Sequence, residues 1–394
     1  MPDSGGSTVL DDLPESIVVE EILFRLPPKD LLRCGAVRKC WYSATSTDKF
    51  MLDHHRRQPL LPIISHGFGY FDQRKLLFVP RAGQQKLCPV LRSSRHCEFH
   101  AALDGLLILS TGDKYFICNP VTRKCASLPK PQVQGDSDPH IASFFRHQPS
   151  GEYRVLWADS QFCDPGEANR TMFCYVLAVG SSNPRCVRHE CEPYPTAPPP
   201  SPSLEVELWV GLPRSSNDPP VHHHGSLHWK LRLSCIMELD TTSEIFRLMS
   251  SPTQLRAQEL LLEMDGALAF CSIGSNRDTI DVWVMQDYDA EIWSFKHRIN
   301  LSVVDPPSRF DSPIYMAMFP KMAVLNEGEL LLQFNRGLVL HYDVDGKFLG
   351  YVISEEDRNI NLRITGHYLQ ESVIPLPLFH ETGEEDEPTF FVGL

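Results

Sequence analysis

The sequence has no long apolar run and no excess of positive charge. No stretch of its 394 residues approaches the roughly 18–20 continuous apolar residues of a membrane span, and the N-terminus lacks the basic and apolar segments of a secretory signal. The 37 Lys and Arg residues are outnumbered by 50 Asp and Glu residues, so the net charge of −13 disfavours binding to a phosphate backbone. We therefore expect neither a membrane nor a nucleic acid as partner, and we expect the protein in the cytoplasm, the nucleus or both.

The usual motifs of catalysis and cofactor binding are also missing. There is no glycine-rich phosphate loop, no Gly-x-Ser-x-Gly elbow, no His-Glu-x-x-His helix and no Cys-x-x-Cys pair among the 12 cysteines. The closest approach to a metal site is His222, His223 and His224. Because adjacent side chains of an extended segment point to opposite faces, we interpret these histidines as a solvated loop, with a propeller enzyme that binds metal there as the alternative. We expect no cofactor, no metal and no catalytic residue.

The N-terminal part instead carries apolar residues at helical spacing. Pro14 lies in the opening of the first predicted helix, and Pro27 and Pro28 end that helix and begin the next, because proline is tolerated only in a first turn. Three or four helices of two to three turns are marginal alone and need a partner to bury their apolar faces. The sequence thus predicts a small all-α docking module over 10–57, after a disordered N-terminus over 1–9.

After residue 57 the apolar period changes from that of a helix to that of a strand. A short turn, an apolar strand and a second turn recur in four copies, which begin at Gly105, Gly225, Gly266 and Gly328. Repeats of roughly 40–50 residues with four short strands are typical of β-propeller blades. We therefore predict an all-β propeller of six to seven blades over 62–380, with a two-sheet sandwich as the structural alternative.

Two segments depart from this repeat. Residues 193–220 hold nine prolines in 28 residues and are interpreted as an extended loop inserted between blades. Residues 381–394 begin with a run of acids and are interpreted as a solvated acidic C-terminal tail. Nearly all of the net negative charge lies after residue 57. The alternative interpretation of the acidic run is that it adds to a negative field that attracts a basic partner to the propeller.

Both parts resemble known families. The helical part resembles an F-box through five fragments in order: Leu13-Pro14-Glu15, Glu21-Ile22-Leu23, Arg25-Leu26-Pro27, Leu31-Leu32-Arg33-Cys34 and Val37-Arg38-Lys39-Cys40-Trp41. The remainder is similar to the Kelch-like F-box-associated domain of plant proteins through Asp104-Gly105-Leu106-Leu107, Asn119-Pro120-Val121-Thr122-Arg123, Gly225-Ser226-Leu227-His228-Trp229 and Glu371-Ser372-Val373-Ile374-Pro375-Leu376.

The resemblance implies a substrate-recognition subunit of a Skp-cullin-F-box ubiquitin ligase. Such a subunit would hold a Skp-family adaptor, and through it a cullin, with its helices, and an unidentified target protein with its propeller. The residues that we expect in the helical core or in the adaptor contact, two roles that the sequence does not separate, are Leu13, Pro14, Ile17, Ile22, Leu23, Leu26, Pro27, Leu31, Val37 and Trp41. The alternative is a binding protein outside any ligase that uses the helical module only for scaffolding.

Overall fold

The structure is a computed structural model. The residues that it describes are 13–66, 75–78, 87–93, 96–131, 138–162, 170–181, 183–190, 212–231, 235–252, 259–274, 278–301, 321–325, 328–335, 338–343, 345–352, 362–376 and 390–391. The predicted disordered N-terminus over 1–9 and the acidic run of the tail lie outside these residues. None of the described helices is long and apolar enough to cross a membrane.

The N-terminal helices form one small unit, the helical module. Its elements are α1 (Glu15–Ile17), which continues as a π-helical turn (Val18–Ile22) and a 3-10 turn (Leu23–Arg25), then α2 (Pro28–Val37), α3 (Lys39–Thr45) and α4 (Asp48–Arg56). The predicted break at the two prolines is confirmed, because Leu26 is extended and the Pro27 carbonyl accepts the first bonds of α2. The module therefore contains four short helical elements, which are separated from one another by residues that are not helical.

The remaining strands form six antiparallel four-stranded sheets, the blades of a propeller. In every blade the strand named first is the innermost and the strand named last is the outermost. Blade 1 is β24 (Leu362–Gln370), β1 (Leu60–His66), β2 (Lys75–Phe78) and β3 (Cys88–Arg92). Blade 2 is β4 (Glu98–Leu103), β5 (Leu106–Thr111), β6 (Lys114–Asn119) and β7 (Lys124–Leu128). Blade 3 is β8 (His140–Arg146), β9 (Tyr153–Phe162), β10 (Arg170–Ala178) and β11 (Arg185–Glu190).

The other three blades have the same order. Blade 4 is β12 (Val221–His223), β13 (Ser226–Lys230), β14 (Cys235–Asp240) and β15 (Phe246–Ser250). Blade 5 is β16 (Glu259–Met264), β17 (Ala267–Ile273), β18 (Thr279–Asp287) and β19 (Ile292–Asn300). Blade 6 is β20 (Lys321–Val324), β21 (Leu330–Asn335), β22 (Leu338–Tyr342) and β23 (Phe348–Tyr351).

The ring is closed by the pairing of the last strand with the first. β24 runs antiparallel to β1, with Leu60 opposite Gln370 and Ile64 opposite Ile364. Six clusters of buried apolar side chains follow, one between each pair of neighbouring blades. The prediction of a propeller is therefore confirmed with six blades, and the sandwich alternative is wrong, because each sheet packs on two neighbours around a ring.

The repeat that the sequence revealed corresponds to one position in the blades. The turn between the first and second strand contains a glycine with positive φ in blades 2 to 6, at Gly105, Gly151, Gly225, Gly266 and Gly328. Blade 1 has no turn at this position, because its first and second strands, β24 and β1, are the last and the first strand of the chain. The end of the ring that carries these turns is called the turn face, and the opposite end, where the chain passes from one blade to the next, is called the crossover face.

The C-terminal tail is not solvated throughout. Phe390 is buried against Phe116 with ring centroids 5.6 Å apart, and its carbonyl accepts a bond from the Arg92 amide of β3. Phe391 forms a parallel bridge with Arg92. The interpretation of the tail as solvated therefore does not hold at residues 390–391, because two aromatic side chains follow the acids and pack on blades 1 and 2.

Candidate functional site

The core of the helical module is built from residues of α2, α3, α4 and the two turns that continue α1. Leu23, Leu31 and Trp41, all predicted, are buried, and they are joined by Val18 and Met51, which the sequence reasoning missed. Val18, the first residue of the π-helical turn, is buried in this core, whereas the neighbouring Ile17 is exposed. The propeller completes this core with Val121 and Val373.

The module also leaves five large apolar side chains in solvent. Val37 is 71% and Tyr42 63% exposed, and Leu13, Ile17 and Leu32 are also exposed. These five residues are called the apolar face. Exposed apolar groups that lie together on a small unit mark a protein interaction surface more often than isolated ones do. Leu32 and Tyr42 were not among the residues that the sequence predicted.

The other predicted residues divide between the core and the surface. Pro14 and Pro27 are exposed, and each lies immediately before a helix, where its carbonyl accepts the first helical bonds. Ile22 is partly buried, and Leu26 packs at the edge of the core while its carbonyl is bonded to His54 Nε2 at 2.8 Å. The structure thus assigns Leu23, Leu26, Leu31 and Trp41 to the core and leaves Leu13, Pro14, Ile17, Pro27 and Val37 at the surface.

The module sits on the turn face of blade 2. His55 is buried there, with Nε2 3.6 Å from Asp104 Oδ1 and Nδ1 3.3 Å from the Glu371 carbonyl. Burial alone would raise the pKa of the Asp104 carboxyl, but His55 and the Tyr153 hydroxyl, which donates to it at 3.0 Å, hold this pKa below its ordinary value. The contact with the propeller is therefore polar as well as apolar.

The end of the Pro-rich insertion occupies the centre of the propeller. Residues 193–211 lie outside the described residues, but residues 212–220, called the plug, cross from blade 3 towards blade 1. The Ser215 amide donates to the Ile141 carbonyl at 2.9 Å, and His367 Nε2 lies 2.9 Å from the Ser215 carbonyl. The plug thus lies in the connection between blades 3 and 4, where the sequence predicts a loop, and it is bonded to innermost strands.

The plug also reaches the far side of the ring. Arg363 of blade 1 donates to Asn217 Oδ1 at 2.8 Å, and Lys321 of blade 6 forms a hydrogen bond with the Asn217 carbonyl and an ion pair with Asp218. Pro219 lies against Gly366 in the middle of β24. The plug therefore bridges innermost strands on both sides of the ring and fills the centre of the propeller on its crossover side.

Three histidines of the innermost strands, two of them buried and His140 partly buried, surround the plug. Burial lowers the pKa of His100 to about 3 and that of His140 and His367 to about 4. Each of these rings is hydrogen-bonded: His100 to the Ser110 hydroxyl at 2.8 Å, and His140 to the Leu212 carbonyl at 2.9 Å. We interpret these histidines as neutral groups that hold the plug and the inner strands rather than as proton donors.

The three consecutive histidines are not in a loop. His222 and His223 belong to β12, and His224 begins the turn that follows it, so the expectation of a solvated loop is wrong for the first two. The His224 ring stacks on Tyr288 with centroids 4.8 Å apart. Among the described residues, no group of three or more His, Cys, Asp or Glu side chains could hold a metal ion.

The comparisons with known proteins agree with this architecture. The model of the F-box associated beta propeller domain family matches residues 83–349. F-box protein At5g49610 from Arabidopsis thaliana is 23% identical over 387 residues, which cover 92% of this chain and 97% of the relative. F-box/LRR-repeat protein At2g43260 from the same plant is 25% identical over 399 residues, 94% of this chain and 84% of the relative.

Solved structures are more distant. The structure of apo AztD from Citrobacter koseri aligns with a TM-score of 0.37 and 12% identity over 76% of this chain and 88% of that chain, which is too distant to inform on function. The family match, in contrast, covers more than half of the chain and falls on the propeller blades. The protein therefore belongs to the F-box associated beta propeller domain family and is related to plant F-box proteins.

Proposed function

We propose that the protein is the substrate-recognition subunit of a Skp-cullin-F-box ubiquitin ligase, with no chemistry of its own. The helical module would act as an F-box that holds a Skp-family adaptor, and the propeller would hold a target protein for ubiquitination and degradation. The observation that carries the proposal is the two-sided module, which packs one side on blade 2 and leaves the apolar face in solvent. The relationship to F-box proteins supports it. The proposed location is the cytoplasm, the nucleus or both.

The adaptor would bury the apolar face. Full burial of a large apolar side chain contributes roughly 1.5–3 kcal/mol, so Val37 and Tyr42, which are mostly exposed, would contribute most of that amount each. Leu13, Ile17 and Leu32 are already more than half buried and would contribute less. Part of that free energy is offset by the cost of association, which is several kcal/mol. Helix-rich grooves accept apolar side chains that project from helices, and Leu32 and Val37 lie on α2.

The target would bind at the crossover face, away from the module. The module occupies turns at Asp104 and Val121, so the turn face of blade 2 is covered. The plug fills the centre of the crossover face, and its Arg214 is exposed near the exposed carboxylate of Asp138. We therefore propose that a target contacts the plug and the segments that join the blades, rather than a ligand inside an open channel.

The test is co-purification of the full chain with a recombinant Skp-family adaptor. The double variant Val37→Asp/Tyr42→Ala changes only exposed side chains of the apolar face, so it should fold normally and lose at least about tenfold in adaptor affinity. Ile245→Asp is the matched control, because Ile245 is equally exposed but lies on blade 4. Equal recovery of all three proteins, or no recovery with wild type, would refute the proposal.

A further inference from the structure

The segment that follows the last strand passes between the propeller and the helical module. This segment, residues 371–376, is called the strap. On the module side, the Glu371 carbonyl lies 3.3 Å from His55 Nδ1, and Val373 is buried in the same cluster as Trp41 and Met51. The strap therefore forms part of the core of the module although it is more than 300 residues away in sequence.

On the propeller side, one side chain holds the strap. Asn119, at the end of β6, is fully buried, and its Nδ2 donates to the Ser372 carbonyl at 3.0 Å and to the Ile374 carbonyl at 2.9 Å. Its Oδ1 accepts from the amides of Val121 at 2.9 Å and Thr122 at 3.2 Å and so caps the turn after β6. This one amide uses both donor hydrogens and its acceptor, the full capacity of an Asn side chain.

The equivalent turns of other blades show why an amide is needed here. The turns between the third and fourth strands of blades 4, 5 and 6 are capped in the same way by Asp240, Asp287 and Asp343. A carboxylate is sufficient in these three turns, because it only accepts hydrogen bonds from backbone amides. Of blades 2, 4, 5 and 6, only blade 2 has Asn at this position, and its side chain also donates hydrogen bonds to the strap.

A glycine in blade 2 makes room for the same segment. A Cβ atom at Gly105 would lie 2.5 Å from Ser372 Cβ and 2.7 Å from the Gln370 carbonyl oxygen. Gly225 holds the same position in blade 4 with nearly the same φ, 77° against 80°, and a Cβ atom there would meet nothing within 4 Å. The two glycines therefore share the backbone requirement, and Gly105 in addition allows the strap to approach.

We propose that the strap fastens the helical module to blade 2 and that Asn119 is its positioning residue. The contact between the module, the strap and blade 2 is called the joint. It contains Asp104, Asn119 and Glu371, which therefore set the orientation of the module rather than contact a target. The consequence for ubiquitin transfer rests on the proposed function: a fixed joint keeps a constant distance between the adaptor on the apolar face and the target on the crossover face. The joint itself is a property of the isolated chain.

The test compares Asn119→Asp with Asp240→Asn in the full chain, by hydrogen exchange of the backbone amides. Asn119→Asp keeps the acceptor that caps the turn and places an acceptor against two carbonyl oxygens, so the strap loses both bonds. Exchange in α4 and in residues 371–376 should then accelerate about tenfold, which corresponds to the loss of one or two net hydrogen bonds. Asp240→Asn keeps its capping acceptor and should leave α4 at the wild-type rate. Equal α4 exchange in wild type and Asn119→Asp, or equal acceleration in both variants, would overturn the proposal.

If Asn119→Asp does not fold, a second pair of variants tests whether the strap fastens the module to blade 2. Gly105→Ala and Gly225→Ala carry the same positive-φ penalty, so only the contact with the strap distinguishes them. Gly105→Ala should accelerate exchange in α4 and Gly225→Ala should not, whereas equal effects would overturn the proposal. Binding of a Skp-family adaptor is measured on the same samples: a wild-type protein with a protected α4 that binds no adaptor refutes the proposed function and leaves the joint intact.

Discussion

The propeller and the helical module bury their apolar residues in opposite ways. In blade 2, the four consecutive residues Leu106–Leu109 are fully buried, because a second strand lies between two blades and has no solvent side. In the module, Leu31 is buried while its neighbour Leu32 is exposed, and the core is complete only with Val121 and Val373 of the propeller. The propeller thus has its own core, whereas the module depends on the propeller for part of its core and leaves the apolar face in solvent.

The largest expected effect is a core substitution in the propeller. Trp157→Ala removes a fully buried side chain that packs edge-to-face on Tyr115 at 4.9 Å, so the free energy of unfolding should fall by about 3–5 kcal/mol. Because each blade packs on two neighbours, the loss should appear as a lower urea midpoint of the whole propeller. A change below about 1 kcal/mol would contradict the interpretation that the interblade clusters stabilise the ring.

A smaller and local effect is expected in the module. Trp41→Ala empties the centre of the helical core and should cost about 3 kcal/mol. Since the propeller has its own core, only the helices should lose protection. Hydrogen exchange should therefore accelerate in α2, α3 and α4 and stay unchanged in β17. Cooperative loss of protection in both regions would show that the module is an integral part of the propeller fold.

The smallest effect concerns the neutral histidines around the plug. His367 has a pKa lowered to about 4 by burial, so between pH 6.5 and pH 4 the unfolded chain binds a proton there that the folded chain does not. Stability should fall as the pH decreases through this window, by about 1.4 kcal/mol per pH unit for this histidine. His367→Gln keeps an amide donor near the Ser215 carbonyl and does not titrate, so urea titrations should show a shallower pH dependence. An unchanged slope would contradict a neutral, buried His367.

Much of the architecture could be predicted from sequence because it depends on local signals. Prolines at 27 and 28 marked the helix break, and the glycine turns at 105, 225, 266 and 328 marked the same position in four of the six blades. The burial of Val18, the plug and the strap could not be predicted, because they depend on contacts between residues far apart in the chain. One signal was present but unread: Asn119 stands where the equivalent repeat positions carry Asp.

The roles of the predicted site residues were separable only with the fold. Leu31 and Val37 look alike in the sequence pattern, yet the first is buried and the second is the most exposed large apolar residue of the module. Helical spacing shows that two residues share a face, but not whether that face meets the rest of the chain or solvent. The propeller determines this by covering one side of the module.

The most direct test of the account is hydrogen exchange of the full chain with and without a Skp-family adaptor. The proposed two-sided module predicts that the adaptor protects amides of α2 and α3 around Leu32, Val37 and Tyr42. It also predicts no added protection in β19, an exposed outermost strand of the propeller. Adaptor binding that protects the propeller strands while α2 and α3 stay unchanged, or no protection at saturating adaptor, would contradict the account.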